Sequence, residues 1–338
     1  MSGPPQRPLP DAAPGNVPED DAPVYRMTDL LEEPAILGRI ETALPWGDAG
    51  LTLEIPGGPY AFTGLDAVSQ TAVLERFAPA VPVTPTVLPG AILTEVRRVD
   101  PQVFRPVLDP LWAFELALSS RPDGIDLAGW RLVARLGLAG GLRGLLGVAR
   151  AADLIGMGDL ENYLRFLAAY SLLLRGGLLM HSACVVHRGE AYLFAGRSGA
   201  GKTTLSTLAL AAGLEVLSDD MNALIAGMPP RVHKLPFAGT LGQRITAAGV
   251  YPLRAVCWLR KEEVVRCEPT RPAQAISRLA VCAPYVNTDP FRAGRLLASL
   301  EHLVVTVPVL TLTFPRGADV LRIIEQIGTF APSRFSTH

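Results

Sequence analysis

The sequence predicts an α/β protein, α+β overall, and three observations support that fold class. A glycine-rich octapeptide, Gly196–Thr203, stands between a short apolar run and a segment rich in alanine and leucine. A second apolar run follows that segment and ends in Asp219-Asp220. Short β-type runs also occupy much of the first half of the chain. Strand, loop, helix and return strand in this order indicate a β-α-β unit inside a larger mixed fold.

The composition is typical of a folded protein with a large core. The 338 residues are 49% apolar and 19% charged, which is enough for two core-bearing units. The net charge of −1, without a block of one sign, gives no support to nucleic-acid binding. No apolar run is long and uncharged enough to predict a membrane span, and the N-terminus lacks a signal-peptide pattern. We therefore predict a cytoplasmic protein with neither membrane nor nucleic-acid partners.

Cysteine usage agrees with that compartment. The four cysteines, at 184, 257, 267 and 282, form no CxxC pair and show no metal-ligand spacing. We predict free, buried thiols in a reducing environment. Cys257 and Cys267 lie on the two arms of a predicted hairpin, so one facing pair stays open as an alternative.

The chain divides into three predicted parts. Residues 1–23, rich in proline and acidic groups, predict a disordered tail. Residues 24–155 predict a mixed α+β N-terminal domain that serves packing or substrate recognition. Its predicted elements are strands at Gly50–Ile55, Tyr60–Thr63 and Trp130–Leu136, a helix at Leu65–Phe77, proline-rich loops and edge strands over 81–107, and a strand or buried helix at Leu111–Leu118.

Residues 156–330 form the predicted core domain, which opens with a helix. Asp159 is a plausible N-cap, and apolar residues recur at helical spacing up to about Arg175, before Gly176-Gly177. The aromatic residues on that stripe indicate core packing rather than a base-stacking site. This helix leads into the strand Leu178–Val186.

The octapeptide fits the phosphate-binding (Walker A) pattern of glycine, four residues, Gly-Lys and then Ser or Thr. Glycines let successive backbone N–H groups point at phosphate oxygens, and the following helix adds its N-terminal dipole. Lys202 brings a charge to the β- and γ-phosphates, and the Thr203 hydroxyl can ligate Mg²⁺. A chance glycine turn is the alternative. The predicted nucleotide-binding residues are Gly196, Arg197, Ser198, Gly199, Ala200, Gly201, Lys202, Thr203 and Thr204.

His181 lies in the strand that precedes the loop. If Arg188-Gly189 is the tip of a two-residue hairpin, paired positions sum to 377 and His181 lies opposite Gly196. The imidazole would then be level with the first glycine of the loop. A hydrogen-bonded core histidine is the alternative, and a register slip of one residue would turn the ring to the other face.

The pair Asp219-Asp220 ends the return strand. Strands joined by a helical crossover run parallel, so their carboxyl ends lie at one edge of the sheet. Lys202 and Asp219 are 17 positions apart, enough for one helix and one strand. Two carboxylates beside a phosphate loop suit Mg²⁺ coordination and general-base catalysis, although an Asp-Asp pair alone is also an ordinary turn.

This constellation resembles the HPr kinase/phosphorylase catalytic domain, and more closely the HPr kinase-like proteins that carry this core behind an unrelated N-terminal region. The specific part spans residues 176–225, and a looser similarity continues through Leu235–Gly239 and Pro284–Phe291. The resemblance implies a P-loop kinase core related to phosphoenolpyruvate carboxykinase, with ATP and Mg²⁺ as cofactors. It implies that Asp219 is the base, that Asp220 is a metal-side carboxylate, and that His181 neighbours the reacting phosphate.

The chain departs from that family at several places. Gly239 is followed by Thr240-Leu241-Gly242-Gln243, where such proteins often have a glutamate. The glycine-rich stretch by which HPr kinases engage their protein substrate has no clear counterpart. These departures count against HPr as the acceptor and against the reverse phosphorolysis. The resemblance to hexameric HPr kinases makes self-association a hypothesis.

Three functions are compatible with these residues. The first is a kinase that transfers phosphate from ATP to a serine-type hydroxyl of a peptide, protein or small molecule. The second is a catalytically silent nucleotide-binding module that acts as a partner of a peptide or modification enzyme. The third is a mechanical ATPase, which is less favoured because the sequence shows no recognisable arginine-finger pattern.

The remaining segments predict core elements and two charges near the acceptor side. We predict a hairpin of 254–259 with 264–267 around Lys261-Glu262, a helix capped by Asp289, and a late strand at Leu303–Leu312. Lys234 and Arg244 are candidates for contact with an acceptor phosphate, with solvated surface charges as the alternative.

Overall fold

The computed structural model describes residues 31, 34–100, 116–129, 131–149, 159–237, 239–245 and 248–330. These residues form two sheets of eight strands each, with helices packed against them. Both sheets mix parallel and antiparallel pairs, so the chain is a mixed α+β protein, in agreement with the predicted class. The predicted disordered tail, residues 1–23, lies outside the described residues.

The first sheet has the strand order β3-β1-β2-β4-β8-β7-β6-β5. Its helices are α1 (Pro34–Thr42) and α2 (Ala67–Phe77), and Asp66 caps α2 by accepting the N–H of Ser69. Its strands are β1 (Ala49–Leu53), β2 (Tyr60–Leu65), β3 (Val83–Thr84), β4 (Ile92–Arg98), β5 (Ala117–Arg121), β6 (Gly124–Ala128), β7 (Leu132–Gly137) and β8 (Arg143–Val148).

Most predicted elements of this unit are confirmed within about two residues at each end. β1, β2, α2 and β7 match the predicted strands and helix. Of the undecided segment 111–118, the last two residues belong to β5, and residues 111–115 lie outside the described residues. The prediction of loops and edge strands over 81–107 is wrong for β4, which lies between β2 and β8 and pairs in parallel with both. No proline occurs between residues 90 and 100, so the backbone donors of β4 are all available.

Helix α3 (Asp159–Leu174) contacts both sheets. The Tyr163 hydroxyl is 3.0 Å from Thr94 Oγ1 on β4, and the Tyr170 hydroxyl donates to Asp289 Oδ2 at 3.0 Å. Its aromatic stripe packs ring against ring in the core, as predicted. One hydrophobic cluster runs through α3 and both sheets, and the division of the chain near residue 155 stays a prediction.

The second sheet contains the glycine-rich loop. Its strands are β9 (Leu178–His187), β10 (Glu190–Ala195), β11 (Glu215–Ser218), β12 (Met221–Ile225), β13 (Arg231–Lys234), β14 (Val250–Lys261), β15 (Arg266–Pro269) and β16 (Val309–Phe314). Its helices are α4 (Lys202–Ala211), α5 (Pro272–Ala280), α6 (Ala293–Thr306) and α7 (Val320–Thr329).

Two features of its topology position the loop. β10, β14 and β16 are parallel neighbours, so their carboxyl ends lie at one edge of the sheet. β9 pairs antiparallel with β10 on one side and with β11 on the other. β10 and β11 therefore run in the same direction, as the crossover predicts, with β9 between them. The β9–β10 register sums to 377, as predicted, and its last pair is Ser182 with Ala195.

Three predictions for the last third of the chain are wrong. β16 lies between β14 and β15, so residues 254–259 and 264–267 form no hairpin with each other. Residues 303–306 belong to α6, and the late strand begins only at Val309. Asp289 does not cap α6, because its buried carboxylate is bound by Tyr170, by Arg292 and by the N–H of Phe291.

All four cysteines are buried and free, as predicted. Cys257 and Cys267 lie on β14 and β15 with β16 between them, which removes the facing pair. None of the helices in the described ranges combines the length and apolar character needed to cross a membrane.

Candidate functional site

The glycine-rich loop joins the carboxyl end of β10 to the first turn of α4. Gly199 and Gly201 have φ angles of 73° and 107°, a region that side-chain-bearing residues rarely adopt. Gly201 is also the N-cap of α4, so the loop turns directly into the helix. A Cβ on Gly196 would lie 2.8 Å from the Ala200 Cβ, which explains why the first glycine is required. This geometry directs the N-terminus of α4 at the cleft beside the loop.

Lys202 lies under the loop. Its Nζ donates to the carbonyl oxygen of Gly196 at 2.9 Å, and the residue is buried. Burial lowers the pKa of Lys202 below its ordinary value, while the nearby Cys282 and Asp220 act in the opposite direction. The ammonium group is therefore held in place where an anion above the loop would meet it.

A cleft of about 320 Å³ brings most of the predicted residues together. It lies between the loop, the end of β11 and the segment after residue 238. Its walls are formed by His181, Ser198, Gly199, Ala200, Gly201, Lys202, Thr203, Thr204, Asp219, Asp220, Thr240 and Lys261. Gly196 and Arg197 are absent from these walls: their carbonyl oxygens face Lys202 Nζ instead, at 2.9 and 3.5 Å.

Asp220 lies between two basic side chains. His181 Nδ1 is 3.2 Å from its Oδ1, and an Arg165 nitrogen is 3.3 Å from its Oδ2. Burial pushes the pKa of Asp220 upward, but the hydrogen bond from His181 and the charges of Arg165 and Lys202 outweigh it, so the pKa lies below its ordinary value. Its backbone carbonyl accepts the Ser182 N–H at 2.9 Å, which fixes the carboxylate against β9. Asp220 is thus held as an anion.

Asp219 has the opposite environment. It is 4% exposed, and its Oδ2 accepts the backbone N–H of Leu241 at 3.1 Å. Its Oδ1 is buried and has no hydrogen-bond partner within the described residues. Burial raises the pKa of Asp219 above its ordinary value, and the neighbouring Asp220 adds to the increase. Asp219 is therefore a basic carboxylate with one unused oxygen.

Residues 239–241 lie against this carboxylate. A Cβ on Gly239 would overlap Asp219 Oδ1 and would lie 3.0 Å from the Asp220 Cβ. Only glycine fits at this position while both aspartates keep their places. Thr240, the next residue, lines the cleft.

Arg165 on α3 contacts Asp220 and was not among the residues predicted for this cleft. Its guanidinium bonds Glu161 at 2.7 Å as well as Asp220, and it lies 5.2 Å from the Phe237 ring centroid. Its position, outside the apolar stripe of α3, did not identify it as a site residue. Arg165 lies near Asp220 because α3 packs against β9. No pattern in the local sequence predicts this tertiary contact.

His181 lies at the edge of the cleft. Its backbone N–H donates to the Cys282 carbonyl at 2.7 Å, its strand partner is Met221 on β12, and its side chain is 41% exposed. The alternative of a buried core histidine is therefore excluded. Lys234 and Arg244 are not among the residues that line this cleft.

The oxygen donors in the cleft suit a hard cation such as Mg²⁺ that takes its other ligands from a substrate phosphate. No group of three His, Cys, Asp or Glu side chains forms a metal cluster within the described ranges. Thr203 and the anionic Asp220 nevertheless face the same cleft. Mg²⁺ commonly uses one or two protein oxygens together with phosphates and water, so this donor set fits Mg²⁺ without a full protein cage.

Comparisons with known proteins add little to this geometry. No family model matches the chain, and no curated protein matches it. Among solved structures, an Hpr(Ser) kinase/phosphatase from Coxiella burnetii aligns with 45% of this chain and 94% of its own, at 13% identity and a TM-score of 0.24. That score is too low to support an inference about fold or function.

Proposed function

We propose that the chain is a kinase that uses Mg²⁺ and ATP to phosphorylate a serine-type hydroxyl of a peptide, protein or small molecule. One observation carries the proposal: two adjacent carboxylates with opposite pKa shifts lie in the same cleft as a phosphate-binding loop. Paired titratable groups whose surroundings separate their pKa values are typical of acid-base sites.

The loop supports phosphate binding. The N–H groups at the start of α4 and the ammonium of Lys202 would hold the β- and γ-phosphates of ATP. Thr203 and Asp220 would hold Mg²⁺, and the lowered pKa of Asp220 keeps that carboxylate charged. Bound there, Mg²⁺ would neutralise negative charge on the phosphates.

Asp219 supports the transfer step. The acceptor hydroxyl would give its proton to the Asp219 carboxylate while its oxygen forms a bond to the γ-phosphorus. The bond between that phosphorus and the β-phosphate oxygen breaks, and ADP leaves. A raised pKa favours a base, and the unbonded Oδ1 offers the acceptor site for the proton. His181, bonded to Asp220, would neighbour the transferred phosphate.

A second candidate, the catalytically silent nucleotide-binding module, is favoured by a different observation. Leu241 donates to Asp219 Oδ2, and the aspartate is only 4% exposed. An acceptor reaches this carboxylate only if residues 239–241 move. If they do not move, ATP binds without transfer and the chain acts as a partner of another enzyme.

Transfer of label distinguishes the two candidates. The full chain is incubated with Mg²⁺, γ-labelled ATP and a mixture of serine-bearing peptides and small alcohols, and the products are identified by mass. We expect a labelled acceptor with the wild type, no label and weak ATP binding with Lys202→Ala, and no change with the exposed-charge control Arg295→Ala. Tight ATP binding without any labelled acceptor would favour the module.

A further part of the proposal concerns which residues recognise the acceptor. We propose that residues 24–155 together with the 231–245 loop recognise the acceptor, since binding residues often lie on loops beside a rigid site. The identity of the acceptor follows from the same labelling experiment.

A further inference from the structure

Four side chains of alternating charge connect helix α2 with the phosphate-loop cleft. Arg76, in the last turn of α2, lies 2.8 Å from Glu161 Oε2 in the first turn of α3. The other oxygen of Glu161 accepts a hydrogen bond from Arg165 Nη2 at 2.7 Å, and the same nitrogen lies 3.3 Å from Asp220 Oδ2. Because α2 packs on β1 and β2, these ion pairs link the first sheet to the carboxylate beside the loop.

Several groups hold the guanidinium of Arg165 in one orientation. Its Nη1 donates to Asn162 Oδ1 at 3.2 Å, and its plane of charge lies 5.2 Å from the Phe237 ring centroid. With Glu161 and Asp220 on Nη2, the side chain is only 16% exposed. A guanidinium is a rigid, planar donor, so one that is fixed in this way also fixes the carboxylates that it contacts.

Glu161 and Asp220 do not share Arg165 equally. The contact with Glu161 is 2.7 Å, whereas the contact with Asp220 is 3.3 Å, so Glu161 has the stronger hold on the guanidinium. Each carboxylate oxygen has more than one acceptor site, which leaves Asp220 able to bind a further cation. The arrangement therefore orients Asp220 without committing it fully to Arg165.

The three other members of this chain of charges lie outside the cleft. Arg76, Glu161 and Arg165 are not among the residues that line it, whereas Asp220 is. An effect of these side chains on a phosphate or cation in the cleft must therefore pass through Asp220. Groups that orient a metal-binding carboxylate from behind commonly matter for metal affinity as much as the geometry of the carboxylate itself.

We propose that Arg165 is a positioning residue of the transfer site, which orients the Asp220 carboxylate toward the cation that accompanies ATP, and that Glu161 and Arg76 hold Arg165 in place. This inference rests on the proposed function, in which Asp220 is a ligand of Mg²⁺. It adds that helix α2 supports the site, so that metal-dependent nucleotide binding depends on a side chain of the first sheet's unit.

The test separates the metal-dependent part of nucleotide binding from the part that the loop provides alone. Affinity for the non-hydrolysable ATP analogue AMP-PNP is measured by calorimetry on the full chain, once with Mg²⁺ and once with EDTA. The ratio of the two affinities gives the contribution of the cation. The variants are Arg165→Lys, Glu161→Gln and Arg76→Gln, and the matched control is Arg295→Gln, since Arg295 is an exposed arginine outside the cleft.

We expect effects that decrease along the chain of charges. Arg165→Lys keeps the charge but loses the planar fork that bridges two carboxylates, so the affinity ratio should fall about 10-fold while the affinity in EDTA stays unchanged. Glu161→Gln leaves Asp220 as the closest carboxylate of Arg165, which draws Asp220 away from the cation and should lower the ratio about 5-fold.

The effect at Arg76 should be the smallest. Its side chain is 40% exposed, so Arg76→Gln should lower the affinity ratio only about 2-fold. Arg295→Gln should leave the ratio unchanged. An unchanged ratio in Arg76→Gln would overturn the part of the proposal that concerns α2.

The outcomes distinguish this inference from the proposed function. If the wild type does not bind AMP-PNP, or binds it no better with Mg²⁺, the proposed function fails and the inference fails with it. If Mg²⁺ strengthens binding to the wild type and to Arg165→Lys equally, only the positioning role is overturned. Equal losses with Mg²⁺ and with EDTA would assign Arg165 to the fold alone and would also overturn that role.

A further variant covers the case in which Arg165→Lys does not fold. Denaturant unfolding shows which variants are folded, and Glu161→Gln changes a carboxylate to an amide of nearly the same size. If only Glu161→Gln folds, a wild-type affinity ratio in that variant overturns the inference, and a lowered ratio with unchanged affinity in EDTA supports it.

Discussion

A buried carboxylate occurs in each sheet, and the two have different surroundings. Asp126 on β6 is 1% exposed, and Asp219 at the end of β11 is 4% exposed. Asp126 is bonded by the guanidinium groups of Arg121 and Arg135, with contacts of 3.1 and 2.9 Å among them. Asp219 has one backbone N–H on Oδ2 and nothing on Oδ1 within the described residues.

The difference shows in the pKa values. Burial alone would raise the pKa of Asp126, but the hydrogen bonds of Arg121 and Arg135 lower it below its ordinary value. Burial raises the pKa of Asp219 and no cation offsets it. A buried carboxylate whose bonds are all made stabilises the fold, whereas one with an unused oxygen is available for chemistry.

The largest effect on stability is expected at Asp126. Asp126→Ala removes the charge-assisted hydrogen bonds that Arg121 and Arg135 donate to this buried carboxylate, so we expect the free energy of unfolding to fall by about 3 kcal/mol. Denaturant unfolding measures the loss. The control is Asp123→Ala, because Asp123 is 75% exposed and 3.8 Å from Arg121, and it should change stability by less than about 0.5 kcal/mol. Similar losses of unfolding free energy for Asp126→Ala and Asp123→Ala would show that the buried carboxylate stabilises the fold no more than the exposed one does.

Gly239 tests how tightly Asp219 is enclosed. Gly239→Ala places a Cβ on Asp219 Oδ1, so we expect a loss of about 2 kcal/mol in unfolding free energy, together with reduced transfer. The matched control is Gly294→Ala on α6, where no atom lies within 4 Å. That variant should be neutral or slightly stabilising, since alanine favours a helix more than glycine does. Full stability of Gly239→Ala would show that the segment is not packed on the carboxylate.

The two adjacent aspartates should respond to pH with opposite signs. Because the pKa of Asp219 is raised in the folded state, ionisation of this carboxylate destabilises the fold at pH values above the raised pKa. The penalty disappears at pH values below the ordinary pKa of 3.8. Asp219→Asn should therefore gain about 1 kcal/mol of stability at pH 7. The gain should shrink as the pH falls from the raised pKa toward the ordinary one. Thermal unfolding across pH 3–8 measures it.

Asp220 has the reverse sign. Because its pKa is lowered in the folded state, the Asp220 carboxylate stabilises the fold at pH values above its ordinary pKa of 3.8. That stability is lost as the pH falls through the lowered pKa. Asp220→Asn should lower the stability by about 1 kcal/mol at pH 7 and by progressively less in acid. A stabilised Asp220→Asn would mean that Arg165 and His181 do not act on this carboxylate.

The sequence predicted the local parts of this site well. The glycine pattern, the hairpin register and the length of the crossover placed the loop, His181 and Asp219-Asp220 in one cleft. Each of these depends on spacing along a short stretch. The contact of Arg165 with Asp220 and the packing of Gly239 on Asp219 were not predicted, because both arise from long-range packing that no short-range pattern encodes.

The errors in the fold have the same origin. β14 and β15 looked like a hairpin because they are close in sequence, yet β16, about 40 residues later, lies between them. Asp289-Pro290 looked like a helix start, but Arg292 and Tyr170 bind the carboxylate that would have capped it. Long-range partners decided both cases.

Asp219→Asn tests most directly whether the carboxylate pair beside the loop performs phosphate transfer. ATP affinity and single-turnover transfer to the acceptor found by labelling are measured side by side for wild type and variant. We expect unchanged ATP affinity and a transfer rate reduced by about 100-fold or more. Full transfer by Asp219→Asn would show that Asp219 is not the base.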